Sequence, residues 1–123
     1  MFIKICLKFA YLMAADKSEA PINDVTECIH LLEGMNTSNV YHQNLLAVLC
    51  NLRGYYQSQR KLYHNAVVDY SDAVKIRPDY ARAHCNRGVA YHFLQDYDMS
   101  LNDYSKSIDL DANDHFAYYN RAI

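Results

Sequence analysis

Tryptophan is absent from these 123 residues, and glycine and proline occur only three times and twice. That is roughly a third of their ordinary combined share. A sandwich, barrel or meander needs a turn every ten residues or so, and this chain cannot supply them, which leaves helices joined by short connections. No charge of one sign dominates: 12 Lys and Arg stand against 14 Asp and Glu for a net charge of −2, excluding a disordered polyelectrolyte and a basic nucleic-acid arm. Cysteine is sparse, at positions 6, 28, 50 and 85 with no C-x-x-C pair. This argues against a zinc ribbon or a secreted disulfide framework and for reduced thiols in a cytoplasmic setting. No apolar run reaches the ~20 residues a bilayer demands. The nearest, MFIKICLKFAYLMAA at the start, is interrupted by Lys8 and has a poor cleavage pattern around Met13, so residues 1–20 read as an amphipathic N-terminal segment, not a signal peptide.

What the chain does have is hydrophobic content, 51%, and hydroxylated rings, 12 Tyr beside four Phe. Such rings suit half-buried seams where the face packs and the oxygen stays wet. The length allows one domain with a real core. The decisive feature is periodic: Arg53, Arg87 and Arg121 stand 34 residues apart, the signature of a repeat architecture. Laid over one another at that interval, Ala47 meets Ala81, Gly54 meets Gly88, Tyr63 meets Tyr97, and Asp69-Tyr70-Ser71 meets Asp103-Tyr104-Ser105. Asn120-Arg121-Ala122 likewise falls on Asn86-Arg87-Gly88.

Each copy divides into two helical stretches by apolar spacing, His84, Arg87, Gly88, Tyr91 and Leu94 in the first and Ala66, Tyr70, Ala73 and Val74 in the second. The pattern predicts helices near 47–60, 64–76, 81–94 and 98–110. Pro78 stops the second near Arg77, whereas the break inside each copy carries no glycine, only Lys61-Leu62 and Gln95-Asp96. Gly54 precedes Ala66 by twelve residues, as Gly88 precedes Ser100, which places small residues opposite each other where antiparallel helices cross, with Tyr70 and Tyr104 filling the wider gap between hairpins. Upstream, Asp24 and Glu27 have capping-box spacing before Val25, Cys28, Ile29 and Leu32, with Gly34 as a stop, so a short helix is expected within a lead-in of 21–46. The first repeat helix can begin as early as Asn39.

A 34-residue helical hairpin with Gly or Ala at its eighth position, Tyr at the seventeenth, Ala or Ser at the twentieth, Tyr at the twenty-fourth and Pro closing the unit resembles the tetratricopeptide repeat. The units are 47–80 and 81–114, with 115–123 the start of a third. Departures from the family pattern are Gln57, Cys50, His84 and Ala112. The resemblance implies an all-α fold, a right-handed superhelical solenoid of antiparallel hairpins, and a protein-interaction role. One hairpin cannot bury its own apolar face, so stability must come from stacking.

Little else suggests chemistry. Histidines 30, 42, 64, 84, 92 and 115 form no H-x-x-x-H pair, and packing or groove lining is the favoured reading over ligation or catalysis. There is no phosphate loop and no nucleophile elbow, and Ser71 and Ser105 read as structural. No enzyme activity, cofactor or metal is expected. The recurring Arg and Asp have two readings: an internal charge pair tying hairpins together, which is favoured because each group satisfies the other, or an anion site.

By resemblance, the concave surface is lined by Val48, Asn51, Leu52, Tyr55, Ser58 and Gln59, then Arg82, Cys85, Asn86, Val89, His92 and Phe93, then Phe116, Tyr119, Asn120 and Ile123. From these, Asn51, Tyr55, Arg82, Asn86, Val89, His92, Phe93, Phe116, Tyr119 and Asn120 are the candidate peptide-binding residues. Of the basic clamp that some relatives use to hold a terminal carboxylate, only Asn86 has a counterpart. Asn51 and Tyr55 replace one Lys and Asn, and Phe116 and Asn120 a later Lys and Arg. The expectation is therefore a scaffold that holds a protein or peptide partner through apolar contacts, with no nucleic acid or membrane partner. Weak self-association is expected through Phe116, Tyr119 and Ala122 at the C-terminal end. The alternative is a regulatory or structural segment of a larger enzyme or co-chaperone.

Overall fold

A computed structural model describes residues 22–35, 39–111 and 121. Among them are five helices: α1 (Ile22–Gly34), α2 (Val40–Gln59), α3 (Tyr63–Ile76), α4 (Ala81–Phe93) and α5 (Tyr97–Leu110). The four repeat helices begin and end within a residue or two of the expected bounds, except that α2 starts at Val40. Asn39 caps it, its side-chain oxygen accepting from the Tyr41 N–H at 2.7 Å, so α2 runs to 20 residues against 13 in α4. Asp24 is not a capping residue: α1 is already helical at Ile22, and Asp24 lies within its first turn.

The helices stack in chain order. Helix α2 pairs with α3 and α4 with α5, α3 packs on α4 across the hairpin boundary, and α1 packs on α2. A first cluster joins Val25, Cys28, Ile29 and Leu32 of α1 to Leu49, Cys50 and Tyr56 of α2, Ala73 of α3 and Ala83 of α4. Two further clusters, Ala66–Tyr70–Ala90 and Cys85–Tyr104–Ile108, carry the core onward.

Both hairpin turns close in the same way. The Leu62 N–H donates to the Gln57 carbonyl and the Lys61 N–H to that of Ser58, and Asp96 and Gln95 repeat this with Tyr91 and His92. This 6→1 and 5→2 pairing requires a left-handed residue where glycine is usual. Here Lys61 (φ 63°) and Gln95 (φ 65°) take it, which is why the sequence shows no clear break at either turn.

Gly88 faces Ser100 as the twelve-residue offset predicts, the Ser100 hydroxyl donating to the Gly88 carbonyl at 2.8 Å. The tyrosines correct the expected picture. A Cβ at Gly54 would lie 2.7 Å from the Tyr70 ring, and one at Gly88 2.7 Å from that of Tyr104. Each ring therefore rests on the glycine of its own hairpin, where only a missing side chain leaves room, and Tyr70 also reaches Ala90 of the next. The expectations for Phe116, Tyr119, Asn120 and Ala122, and for residues 1–20, lie outside the described residues.

Candidate functional site

The repeating arginines are held inside the stack. Arg87 donates from Nε and one terminal nitrogen to the two oxygens of Asp103, both at 2.8 Å, and from the other terminal nitrogen to the Ser71 hydroxyl at 3.1 Å. Arg53 does the same to Asp69, at 2.8 and 2.7 Å, and to the Thr26 hydroxyl at 3.2 Å. Each pair closes a hairpin while the third bond reaches back to the preceding helix, so the internal-pair reading holds for both. The carboxylate hydrogen bond raises each guanidinium's pKa, against burial, which lowers it. At one position the hairpins differ: Gln57, with its amide nitrogen turned toward the carboxylate, donates to Asp69 at 2.8 Å, whereas the Tyr91 ring lies 6.0 Å from the Arg87 guanidinium.

His84 is buried, its Nε2–H donating to the Pro78 carbonyl at 3.1 Å, with Nδ1 3.7 Å from Asp103. It braces the inter-hairpin turn. Cys28, Cys50 and Cys85 are buried thiols outside any disulfide. Burial, with Asp69 nearby, pushes the Cys50 thiol up to about 12, which keeps it protonated and unreactive at neutral pH. Among the described residues there is no group of three His, Cys, Asp or Glu able to hold a metal ion, and no helix long and apolar enough to cross a membrane.

The candidate groove residues divide. On the adjacent first helices α2 and α4, the Asn86 amide donates to the Asn51 carbonyl oxygen at 3.0 Å, and the Asn51 amide donates to the Tyr80 hydroxyl at 3.3 Å. Two residues expected to act separately on a ligand thus form one polar strip, and Tyr80 was missed because nothing recurs at its place in the next unit. Arg82 is exposed beside this strip and Tyr55 half-buried, its ring packed against the first core cluster. Val89 leans onto Cys85, Tyr104 and Ile108.

Two groove assignments are corrected. Cys85 is fully buried, facing α5, and the Ser58 hydroxyl is bonded to that of Tyr70 at 3.2 Å, facing α3. His92 and Phe93 sit at the end of α4 in an aromatic row. Phe93 stacks on Tyr63 with centroids 4.8 Å apart and planes 6° from parallel, and His92 meets Tyr97 edge-on at 5.5 Å. Phe93 and Tyr97 remain 58% and 54% exposed, a large apolar allowance for a surface. Tyr63 and Tyr97 recur at the repeat interval, a signal that could have joined them to Phe93.

Comparison with known proteins places this arrangement. A TPR repeat pattern matches residues 55–95 and the tetratricopeptide repeat pattern residues 81–114. The chain is 32% identical over 59 residues to human tetratricopeptide repeat protein 6 and 37% identical over 62 residues to human serine/threonine-protein phosphatase 5. Those stretches are 48% and 50% of this chain but only 11% and 12% of the relatives' own length. The fold superimposes on the Arabidopsis OM64 TPR domain with a TM-score of 0.70 at 20% identity, covering 85% of this chain and 78% of that one. It superimposes on the Sgt2 TPR domain from Aspergillus fumigatus with a TM-score of 0.74 at 18% identity, covering 97% and 73%. With its paired helices, its 34-residue register and these matches, the chain belongs to the tetratricopeptide repeat family.

Proposed function

We propose that the chain is a cytoplasmic protein-interaction module that holds a peptide, extended or helical, along its first helices. The observation that carries this is the Asn86–Asn51–Tyr80 strip, which links α2 to α4 on adjacent faces. Among the described residues nothing else bonds the Asn86 side-chain oxygen, so it can accept a main-chain N–H, while Tyr55, His92 and Phe93 supply apolar contact. No basic cluster accompanies the strip, so binding depends only mildly on salt. The test is affinity capture of a partner followed by titration at low and high ionic strength, with Asn86→Ala and Phe93→Ala beside the parent. Both variants should weaken binding. Steep salt dependence with neither variant affected would move the site to another surface.

A second reading has one observation in its favour, the 37% identity to a segment of serine/threonine-protein phosphatase 5. On that reading these repeats regulate an enzyme or co-chaperone of which they are one part. Sequencing the full open reading frame decides between the two.

A further inference from the structure

We propose that the side of the array away from the groove holds a binding site for a small primary amine with an apolar body, in a cavity between α1 and α3 floored by α2. The cavity measures about 470 Å³, a size at which small-molecule sites are found. Its floor is Leu46, Cys50 and Arg53, spaced four and three residues apart and so on one stripe of α2. At 3.6 residues per turn, Tyr55 of the groove lies about half a turn round the helix from Leu46. The cavity and the groove therefore belong to opposite sides of α2, and the site is independent of whatever the groove holds.

The space traces to one difference between the two units. Cys50 and His84 stand at the same place, 34 residues apart. In the second unit the buried His84 imidazole takes that place, bonded to the Pro78 carbonyl at 3.1 Å with Nδ1 3.7 Å from Asp103. In the first unit it is taken by a thiol alone, with the equivalent Asp69 nearby. The bulk that His84 sets between Pro78 and Asp103 has no counterpart there. The cavity lies beside Cys50, between Ile29 of α1 and Ile76 of α3.

The lining divides into an apolar interior and a charged mouth. Ile29 and Cys50 are buried, Leu46 and Ile76 half-buried, and the thiol, protonated at neutral pH, brings no charge to the floor. At the mouth stand Glu33 of α1 with Asp72 and Lys75 of α3, all exposed. Arg53 also lines the cavity, but its charge is matched by Asp69. Among the described residues no ion pair engages Glu33, Asp72 or Lys75. Two carboxylates against one ammonium leave the mouth net negative, and because the carboxylates stand on different walls, a cation entering between α1 and α3 meets both. An ammonium satisfies that mouth while the ring or branched chain it carries displaces water from Ile29, Leu46 and Ile76. In the second unit the charges at the matching places are exchanged, Lys106 for Asp72 and Asp109 for Lys75, so this arrangement is not repeated there.

The test titrates the full chain with tryptamine and with indole-3-acetate, the same ring carrying the opposite charge. The chain has no tryptophan, so indole fluorescence excited beyond tyrosine absorption reports the ligand alone. Tryptamine should bind saturably, one per chain, and about tenfold or more tightly than indole-3-acetate, with amide NMR shifts centred on Glu33, Cys50 and Asp72. Glu33→Gln/Asp72→Asn, at two exposed positions that leave the fold intact, should weaken tryptamine about tenfold and indole-3-acetate not at all. Cys50→Met, which fills the floor, should weaken both ligands. Absence of saturable tryptamine binding, equal affinity for the two ligands, an unaffected double variant, a folded Cys50→Met that binds like the parent, or shifts centred on Asn86 and Phe93 would each overturn the proposal.

Discussion

Arg87 meets Asp103 through one edge of its guanidinium, Nε and a terminal nitrogen each at 2.8 Å from a carboxylate oxygen, and the pair closes one hairpin while its remaining nitrogen ties that hairpin to the one before. A single side chain thus contributes to both terms on which a repeat array rests, the stability of a unit and the interface between units. Asp103 is almost wholly buried and Arg87 mostly so, with side chains 6% and 18% exposed. At that burial an unpartnered carboxylate is severely penalised, whereas an exposed pair would be worth little.

Arg87→Ala is therefore expected to destabilise the chain by about 3–5 kcal/mol, because it strands Asp103. Arg87→Lys should recover part of this and not the forked geometry. Ser71→Ala removes only the boundary bond and should cost about 1 kcal/mol. Urea unfolding monitored by circular dichroism measures all three. A loss below about 1 kcal/mol for Arg87→Ala would show that the pair behaves as a surface contact.

Gly88→Ala should destabilise by about 1–3 kcal/mol through overpacking. Its new Cβ would lie 2.7 Å from the Tyr104 ring and 3.2 Å from the Ser100 carbonyl oxygen, whereas at Gly54 the nearest atoms all belong to the Tyr70 ring. Gly54→Ala should consequently be the milder change. Adding Tyr104→Leu to Gly88→Ala should give a double variant more stable than the sum of the single losses, since the ring that collides is gone. Strict additivity in urea unfolding would disprove the contact.

Much of this fold is legible in the repeat interval by itself. The interval locates four helices to within a residue or two apart from the early start of α2 at Val40, sets Gly88 beside Ser100, and pairs the recurring arginines with the recurring aspartates. It does not say which aspartate each arginine takes, because Asp69 and Asp103 are equally periodic and only the stacking distinguishes them. Groove lining is less legible. Ser58 and Cys85 stand at first-helix positions that resemblance assigns to ligands, yet the tyrosine hydroxyl of α3 and the core behind α5 claim them. Tyr80 lies beyond any periodic signal, and the turn residues Lys61 and Gln95 are hidden because each takes a glycine's conformation.

Those two turn residues yield a prediction of gain. Lys61 and Gln95 hold φ near 63° and 65°, a left-handed backbone that costs an L-residue about 1 kcal/mol and glycine almost nothing. Both side chains are exposed, so little packing is lost on replacement. Lys61→Gly and Gln95→Gly should each stabilise the chain by about 0.5–1 kcal/mol, with near-additive effects because the turns are separate. Thermal unfolding of the two singles and the double tests this, and a fall in midpoint would mean that the side chains matter more than the backbone.

The last prediction concerns alkaline pH. Burial raises the Tyr70 phenol well above its ordinary value of 10.0, partly offset by its hydrogen bond with Ser58, and lifts the Cys50 thiol from 9.0 to about 12. Both groups are neutral when protonated, and both lose a proton more readily in the unfolded chain. The stability they confer is complete below the unfolded values and is lost as pH rises toward the folded ones. Stability should therefore begin to fall above about pH 9, where the unfolded thiol ionises, and more steeply above about pH 10, with each such group contributing a slope of about 1.4 kcal/mol per pH unit. Cys50→Ala should remove the earlier part of the decline. Tyr70→Phe, which keeps the ring on Gly54 and loses only the hydroxyl bonded to Ser58, should flatten the later part while lowering neutral-pH stability by about 1 kcal/mol. Urea midpoints measured from neutrality to strong alkali for the parent and both variants supply the comparison. Parallel curves for parent and Tyr70→Phe would assign the alkaline loss to buried Tyr56 and Tyr104 and half-buried Tyr80, whose phenols burial also raises.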